Sequence, residues 1–499
     1  MTRSGKTAAV AVGSIVVVAA GWAGAGIYAG RVAADEMRAF AAHVPARPGV
    51  SIAAPRHDTG LFDSSGRFEV RFDEHCDAAS AGGARFALQV DYKLSHMLLP
   101  GSLMRFEWSM VPAGQVGAML SKVTNGALRM DGQGTVSYSR DMVSSLAMPE
   151  LVLGNGPQAL RVSPGAGQFT LSGPAFGMQW KTERIAGRSA GKALEVLNLG
   201  MEMDLKDRAR GTGSLTLSVD RVGTGFGTLE GFRLVTAAAE RGDRTDVTIT
   251  PSLRALTSPG QKAGDLSMQL AVRDIHTASL ESIQRIASES CSFRSLKPEE
   301  EQKLRAAVRT LITGGLAFGI TGVKGTIGDG SLEGFLKVDL KKADAAAPAT
   351  GAAATAPTGP VAIDLARLLT SSGEVTLKGN AIKAEQREMA VGMGFATEVQ
   401  GGLKAAFEYA DGVLKANGRV FDAGPLQVAL STADRRLNTF LGVSMPAERA
   451  PKGEGLVPEA VPSAADGAPP VPLANSASVR LVPNAAPANV AAPVAPQSR

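Results

Sequence analysis

The chain has 499 residues, of which 52 are Lys or Arg and 47 are Asp or Glu, so its formal net charge is +5. The basic residues are spread along the chain without a block, so a nucleic-acid role finds no support, because phosphate binding requires clustered Lys and Arg. Hydrophobic residues make up 44% of the chain but aromatic residues only 5%, and with 58 Gly the composition is typical of many short strands separated by glycine turns.

The N-terminal segment from 7 to 30 has no charged residue and follows a basic leader, residues 1–6. At about 1.5 Å per residue, a helix of this length crosses the roughly 30 Å hydrocarbon core of a bilayer. We therefore expect a transmembrane anchor at 7–30, with the leader in the cytoplasm and the bulk of the chain outside it, because the basic charges lie on the leader side. The alternative is a cleaved signal peptide, whose apolar part is usually shorter.

Two small residues of this anchor, Gly26 and Gly30, have the spacing that lets two transmembrane helices approach closely. Such pairs also arise by chance in a segment this rich in Gly and Ala. They make a homodimer a candidate assembly.

Residues 31–55 are interpreted as a stalk, because their prolines, including Pro55, cannot lie inside a helix. From 56 to 341 the chain repeats short runs with an apolar residue at every second position, each bounded by Gly, Pro or Asp. That period is typical of strands with one buried face. The sequence thus predicts an α+β, mainly β fold, with a large curved antiparallel sheet and a few inserted helices, preceded by one transmembrane helix.

Helical spacing interrupts this pattern between 278 and 313, where we expect a helical hairpin inside the β-rich region. An Ala- and Pro-rich linker follows at 342–360 and cannot bury a core. The rest of the domain is assigned to 361–445, with a helix expected from 383 to 399, and a disordered Pro- and Ala-rich tail is expected at 446–499.

The two cysteines, Cys76 and Cys291, are candidates for a disulfide in an oxidising compartment. Such a bond would close a long loop and add about 2–4 kcal/mol of stability. The sequence leaves both the bonded and the unbonded state open, because it does not show whether the two residues meet.

Two short motifs stand out at the two ends of the β-rich region. The first opens the first strand and contains His57, Gly60, Phe62 and Ser64. The second contains Tyr409, Asp411, Gly412 and Gly418, and its Asp-Gly pair also predicts a tight hairpin turn. Together with the anchor and the β-rich domain, these motifs resemble the YdgA-like family of bacterial envelope proteins, a family of unknown function.

The resemblance implies a single-pass protein of the bacterial inner membrane with a periplasmic domain. It implies no reaction, cofactor or catalytic residue. The family usually has a His-Gly-Pro step in its second strand, and here His96 is present while the Gly is missing. Any role that depends on this step is therefore not transferred.

Motifs for catalysis are largely missing from the chain. The five histidines form no H-E-x-x-H arrangement, and no G-x-S-x-G elbow occurs. No catalytic residue, cofactor or metal ligand is therefore assigned. The sequence favours a non-enzymatic scaffold or interaction module of the cell envelope, with another envelope protein or a second copy as partner.

The second hypothesis is lipid binding or lipid transfer. A long sheet with one apolar face must cover that face with another layer, a partner or lipid, and incomplete cover leaves an apolar groove. The third hypothesis is an envelope hydrolase, which would need His57, His96 and a carboxylate within hydrogen-bond reach.

Overall fold

The computed structural model describes residues 50–60, 62–72, 86–96, 102–154, 156–189, 191–208, 210–290, 296–343, 362–379, 381–382 and 384–443, which fall in one compact unit. Several predicted features lie outside the described residues: the anchor at 7–30 with Gly26 and Gly30, both cysteines, nearly all of the 342–360 linker, and the tail at 446–499. Among the helices that are described, none combines the length and the apolar character needed to cross a membrane.

The described strands form one antiparallel sheet. In chain order they are β1 (Val50–Thr59), β2 (Asp63–Phe72), β3 (Phe86–Ser95), β4 (Met104–Ala113), β5 (Met130–Val136), β6 (Met142–Met148), β7 (Leu151–Leu153), β8 (Leu160–Val162), β9 (Gly165–Ser172), β10 (Ala175–Ser189), β11 (Lys192–Asp207), β12 (Thr212–Thr224), β13 (Gly227–Arg241), β14 (Arg244–Ser258), β15 (Gln261–His276), β16 (Ala317–Ile327), β17 (Gly330–Leu340), β18 (Leu369–Lys378), β19 (Thr397–Val399), β20 (Gly402–Ala410), β21 (Val413–Ala416) and β22 (Arg419–Phe421).

The described helices are few and short. They are α1 (Gly114–Val123), α2 (Thr277–Glu289), α3 (Pro298–Thr313), α4 (Leu365–Leu368), α5 (Ala384–Gly392) and α6 (Gly424–Phe440). The helices α2 and α3 contact each other and the strand β15, and they occupy the segment where the helical hairpin is expected. The helix α3 begins with Pro298 and three glutamates, which suit its positive N-terminal end.

Neighbouring strands pair as a long meander. Pairing runs from β1 to β6, continues through β9 and β10 to β18, and ends with β20, β21 and β22. The strands β7 and β8 form a side hairpin on β10, and β19 lies beside β20. No described strand joins β1 to β22, so the sheet is open. The predicted mainly β fold with a large antiparallel sheet and few helices is confirmed, and β17 pairs with β18 across the predicted linker.

The predicted stalk extends too far, because β1 begins at Val50 and includes Pro55. Among the described strands, β1 pairs only with β2, and its register is irregular between Ala53 and Arg56. An edge strand tolerates proline at such an irregularity, since the missing N–H removes no regular ladder bond.

The predicted helix at 383–399 is also too long. The helix α5 ends at Gly392, Gly394 follows with a φ of +74°, and β19 begins at Thr397. A left-handed glycine is a common helix end. The helices α1 and α6 were not predicted, and neither has a side-chain N-cap bond to mark its start.

The helix α6 anchors the chain where it re-enters the fold after the linker. The fully buried Asn438 side chain accepts a hydrogen bond from the Ile363 N–H at 2.8 Å and donates one to the Ile363 carbonyl at 2.8 Å. Asp434 accepts a bond from the Leu365 N–H at 2.8 Å. Burial raises the pKa of Asp434, the Leu365 bond opposes this shift, and the nearby Asp364 adds to it.

We expect Asp434→Asn to stabilise the fold, and the gain to grow with pH. The folded state binds the Asp434 proton more tightly than the unfolded chain, so the stability of the native protein falls as pH rises through the window between the two pKa values. An asparagine oxygen accepts the Leu365 bond without titrating. Urea unfolding at about pH 4 and about pH 7 measures the difference. The exposed Glu385→Gln is the control, and an equal gain at both pH values would contradict the prediction.

Candidate functional site

One row of residues crosses the whole sheet at the same register and contains no charge. Each member is paired with the next across seventeen strands, from β1 to β20. This apolar row consists of Thr59, Ser64, Leu94, Phe106, Gly134, Ser144, Phe169, Met178, Met203, Leu215, Thr236, Ile249, Leu270, Ile320, Leu336, Gly373 and Phe407. Paired residues lie on one face of a sheet, so these side chains share a face, which we call the apolar face.

The next row along the strands has the opposite character. It runs from β2 to β20 in the same register and points to the other face. This polar row consists of Asp63, Ser95, Arg105, Thr135, Val143, Thr170, Gly177, Asp204, Ser214, Ala237, Thr248, Ala271, Gly319, Lys337, Ser372 and Glu408. The sheet is therefore amphipathic over nearly its full width.

Burial decreases along the apolar face. At the β3–β6 end, Leu94 and Phe106 are buried and pack with Met104 into a small core. At the β14–β20 end, large apolar side chains on this face are exposed by more than a third: Ile249 (37%), Met268 (39%), Phe318 (39%), Val375 (41%) and Phe407 (40%). No described helix covers these five side chains, so an open apolar surface remains.

The apolar face as a whole is long and wide enough to accept extended hydrocarbon chains. On β11 the apolar residues run from Leu199 to Leu205, which at about 3.3 Å per residue makes the apolar face about 20 Å wide along the strands. Seventeen strands at about 4.8 Å spacing extend it to about 75 Å across the strands, measured along its surface. The hydrocarbon of one bilayer leaflet is about 15 Å thick.

A cluster of polar side chains lies at the β1–β3 end of the apolar face. Ser64 and His96 are both buried, and the Ser64 Oγ lies 2.8 Å from the His96 Nε2. The His57 Nδ1 lies 2.9 Å from the Tyr92 hydroxyl. We call these four residues the histidine cluster.

The first sequence motif is the turn that builds this cluster. Gly60 donates its N–H to the Asp63 carbonyl at 2.7 Å, and Phe62 accepts the His96 N–H at 2.8 Å. His57 and Ser64 lie on the two strands that the turn joins. Sequence reasoning named His57, Ser64 and His96 but did not pair Ser64 with His96, since the 32 residues between them leave no local signal.

The histidine cluster stabilises the fold without the features of an exposed catalytic site. Burial lowers the pKa of His96, the nearby His57 lowers it further, and Asp63 opposes the shift. Burial and Asp58 raise the pKa of Tyr92. The His96 Nδ1 has no hydrogen-bond partner among the described residues, so no carboxylate there orients a serine–histidine pair.

The second motif forms turns and a buried contact at the opposite end. Asp411 and Gly412 have φ values of 50° and 82° and join β20 to β21, which confirms the predicted hairpin turn. Gly418 (φ 78°) follows in the next turn. Tyr409 is 1% exposed, and its pKa is raised by burial and by Asp364 and Asp434.

A metal centre finds no donor set in the described part of the chain. There, no three His, Cys, Asp or Glu side chains are grouped so as to hold an ion. The polar side of β3–β6 has a shallow cavity of about 590 Å³, lined by charged residues that include Lys93, Glu107 and the paired Arg129 and Asp131. No histidine or cysteine is among its described lining residues.

Comparison with known proteins places the chain in one family. The family model described as "Bacterial protein of unknown function (DUF945)" matches residues 5–423, well over half of the chain. No curated protein and no solved structure matches significantly.

We expect His96→Gln to remove a pH-dependent loss of stability. With its pKa lowered, folded His96 binds a proton less tightly than the unfolded chain, so the stability it contributes is complete above the ordinary pKa of 6.5 and is lost as pH falls below it. Urea unfolding at about pH 7.5 and about pH 5 measures this slope. The control Ser64→Ala should cost about 1 kcal/mol at both pH values while keeping the slope. A variant slope equal to the native slope would contradict the prediction.

Proposed function

The chain belongs to the DUF945 family of bacterial proteins of unknown function, and from this premise we propose that its apolar face binds lipid acyl chains without catalysing a reaction. The observation behind the proposal is the exposure of Ile249, Met268, Phe318, Val375 and Phe407 on one uncharged face. Isolated exposed apolar residues are common, but a contiguous patch marks a site for an apolar partner.

An acyl chain fits this face better than a globular partner does. The apolar face is long, narrow and uncharged, whereas protein interfaces combine an apolar centre with polar groups at the rim. Each methylene that leaves water contributes about 0.8 kcal/mol, so about ten half-covered methylenes contribute about 4 kcal/mol. Binding of this kind needs no cofactor and no catalytic residue.

The methionines support the same occupant. Met178, Met201, Met203 and Met268 lie on the apolar face, on the strands β10, β11 and β15. Unbranched and polarizable, methionine adapts to ligands of varied shape, as a surface for lipids with different chains would require.

The cellular setting is part of the proposal. We take the chain to be YdgA-like, anchored in the inner membrane by residues 7–30 and facing the periplasm, where membrane lipids are close by. A scaffold role for the domain, with a homodimer or an envelope protein as partner, ranks second, because the uncharged apolar face lacks the polar rim that protein interfaces usually have. A hydrolase ranks third, because the serine and histidine of the histidine cluster are buried.

We expect the double substitution Ile249→Glu with Met268→Glu to reduce co-purifying lipid by at least about tenfold, because acyl chains would have to cover two carboxylates. The matched control is Thr250→Glu with Gln269→Glu, which places the same charges one residue along on the polar side of the same strands. Native mass spectrometry of the full chain, extracted gently from membranes, measures the bound lipid.

The result that supports the proposal is a bound phospholipid in the native chain and in the control variant, and its loss in the double variant. Equal lipid in all three chains would contradict acyl binding on this face. Circular dichroism of each variant establishes that the sheet is intact, and folding is expected to survive because both substituted side chains are already exposed.

A further inference from the structure

Four hairpin tips lie along one edge of the sheet, and three of them expose large apolar side chains. The four tips are the β10–β11, β12–β13, β14–β15 and β16–β17 connections. Phe226 at the second tip is 68% exposed, Leu256 beside the third is 40% exposed and Ile327 at the fourth is 43% exposed. Phe226 is the most exposed aromatic side chain described.

An apolar ladder joins these tips. Ile185, Val196, Val222, Leu229, Leu256, Ala263 and Ile327 are each paired with the next across seven strands. On each of these strands, the ladder residue is an odd number of positions from the residue of the apolar row, so regular alternation would place it on the opposite face. The phase changes near Asn198, Gly231 and Asp265, which all have positive φ, so irregular backbone separates the tips from the rest of the sheet.

The tips of β10–β15 also carry unpaired positive charge. Arg188, Lys192, Arg221 and Lys262 are exposed and form no ion pair with a described residue. The Lys192 Nζ lies 3.1 Å from the centroid of the Phe226 ring. Among the acids near these tips, Glu195 pairs with Arg184 and Glu230 with Arg254. Asp220 accepts a hydrogen bond from Asn198, and exposed Asp265 forms no ion pair with a described residue, so the four cations outnumber the two acids that have no cationic partner. The β16–β17 tip is not part of this cationic stretch, because it carries Asp329, which forms no ion pair with a described residue.

The opposite edge of the same strands differs in its apolar side chains and in part of its charge. Two of its arginines lie in ion-pair networks, Arg210 with Asp207, Glu240 and Glu281, and Arg241 with Asp246 and Asp274, whereas exposed Lys206 and Arg273 form no ion pair with a described residue. No large apolar side chain is exposed at its described turns. Exposed apolar side chains beside cations therefore occur at the turns of one edge and not at those of the other.

We propose that the β10–β15 tips dock on the surface of an anionic lipid bilayer. An exposed aromatic side chain inserts at the headgroup level, while lysine and arginine side chains reach the negatively charged headgroups. The charge complementarity selects a bilayer over a protein surface, because the cations flank the apolar side chains along an extended edge with no pocket between them. This docking is independent of the predicted anchor and of acyl binding on the apolar face.

Hydrogen exchange tests the proposal on the full chain. The chain is reconstituted in nanodiscs of phosphatidylcholine alone, or of phosphatidylcholine with about one third phosphatidylglycerol. The same measurement is made in detergent. The readout is deuterium uptake in peptides spanning the tips at 222–230 and 255–264, compared with the opposite turn at 208–212. Local uptake reports tip contact even when the anchor already holds the chain in the membrane.

We expect uptake at the tips to fall about twofold in the anionic nanodiscs, with little change at 208–212. Phe226→Glu and Lys262→Glu should each remove this protection, since one basic side chain near an anionic surface changes affinity about fivefold. Val420→Glu is the matched control, because Val420 is 70% exposed and lies outside the tips.

Three results would overturn the proposal: equal uptake with and without phosphatidylglycerol, protection that persists in both variants, or the same protection in detergent, which indicates contact between protein chains. The lipid bound to the apolar face is measured separately by mass spectrometry. A negative hydrogen-exchange result would therefore overturn bilayer docking without affecting the proposed acyl-chain binding. A negative mass-spectrometry result would overturn acyl-chain binding without affecting bilayer docking.

Discussion

The structure depends on keeping side-chain alternation in register across seventeen paired strands. Because successive side chains point to opposite faces, a slip of one residue in a pair would exchange the two faces, and on strands such as β11 and β17 it would place Asp204 or Lys337 among the apolar side chains. Register is strongly specified where one face is apolar and the other charged. The same constraint that selects the fold therefore also creates one continuous apolar surface.

That surface is larger than the described helices can cover. The helices α2 and α3 contact the sheet at β15, and Gln427 of α6 donates a hydrogen bond to the Gly412 carbonyl in the turn after β20. Leu94, Phe106 and Tyr409 are buried, while five large apolar side chains between Ile249 and Phe407 are exposed by more than a third. An antiparallel sheet can leave its polar face in water at no cost, but an uncovered apolar face has a free-energy cost that a bound lipid removes.

Much of the strand pattern could be predicted from local sequence, because its signals are local. Period-two alternation predicts the strands, the Asp411-Gly412 pair predicts its hairpin, and Pro298 with its following glutamates predicts the start of α3. Contacts between distant residues could not be predicted. The bond between Ser64 and His96 spans 32 residues, and that between Ile363 and Asn438 spans 75. Whether other elements cover the apolar face also depends on contacts between residues that are far apart in the sequence. The sequence alone therefore did not decide between a scaffold and a lipid carrier.

Site-specific photo-crosslinking in living cells tests the central claim most directly. A photoreactive phenylalanine analogue replaces Leu217, Ile249 or Val375 on the apolar face, or their neighbours Thr216, Thr250 or Glu374 on the polar side. The account predicts crosslinks to lipid from the three apolar positions and none from their neighbours. Crosslinks to protein alone from the apolar positions, or equal lipid crosslinking from both faces, would contradict it.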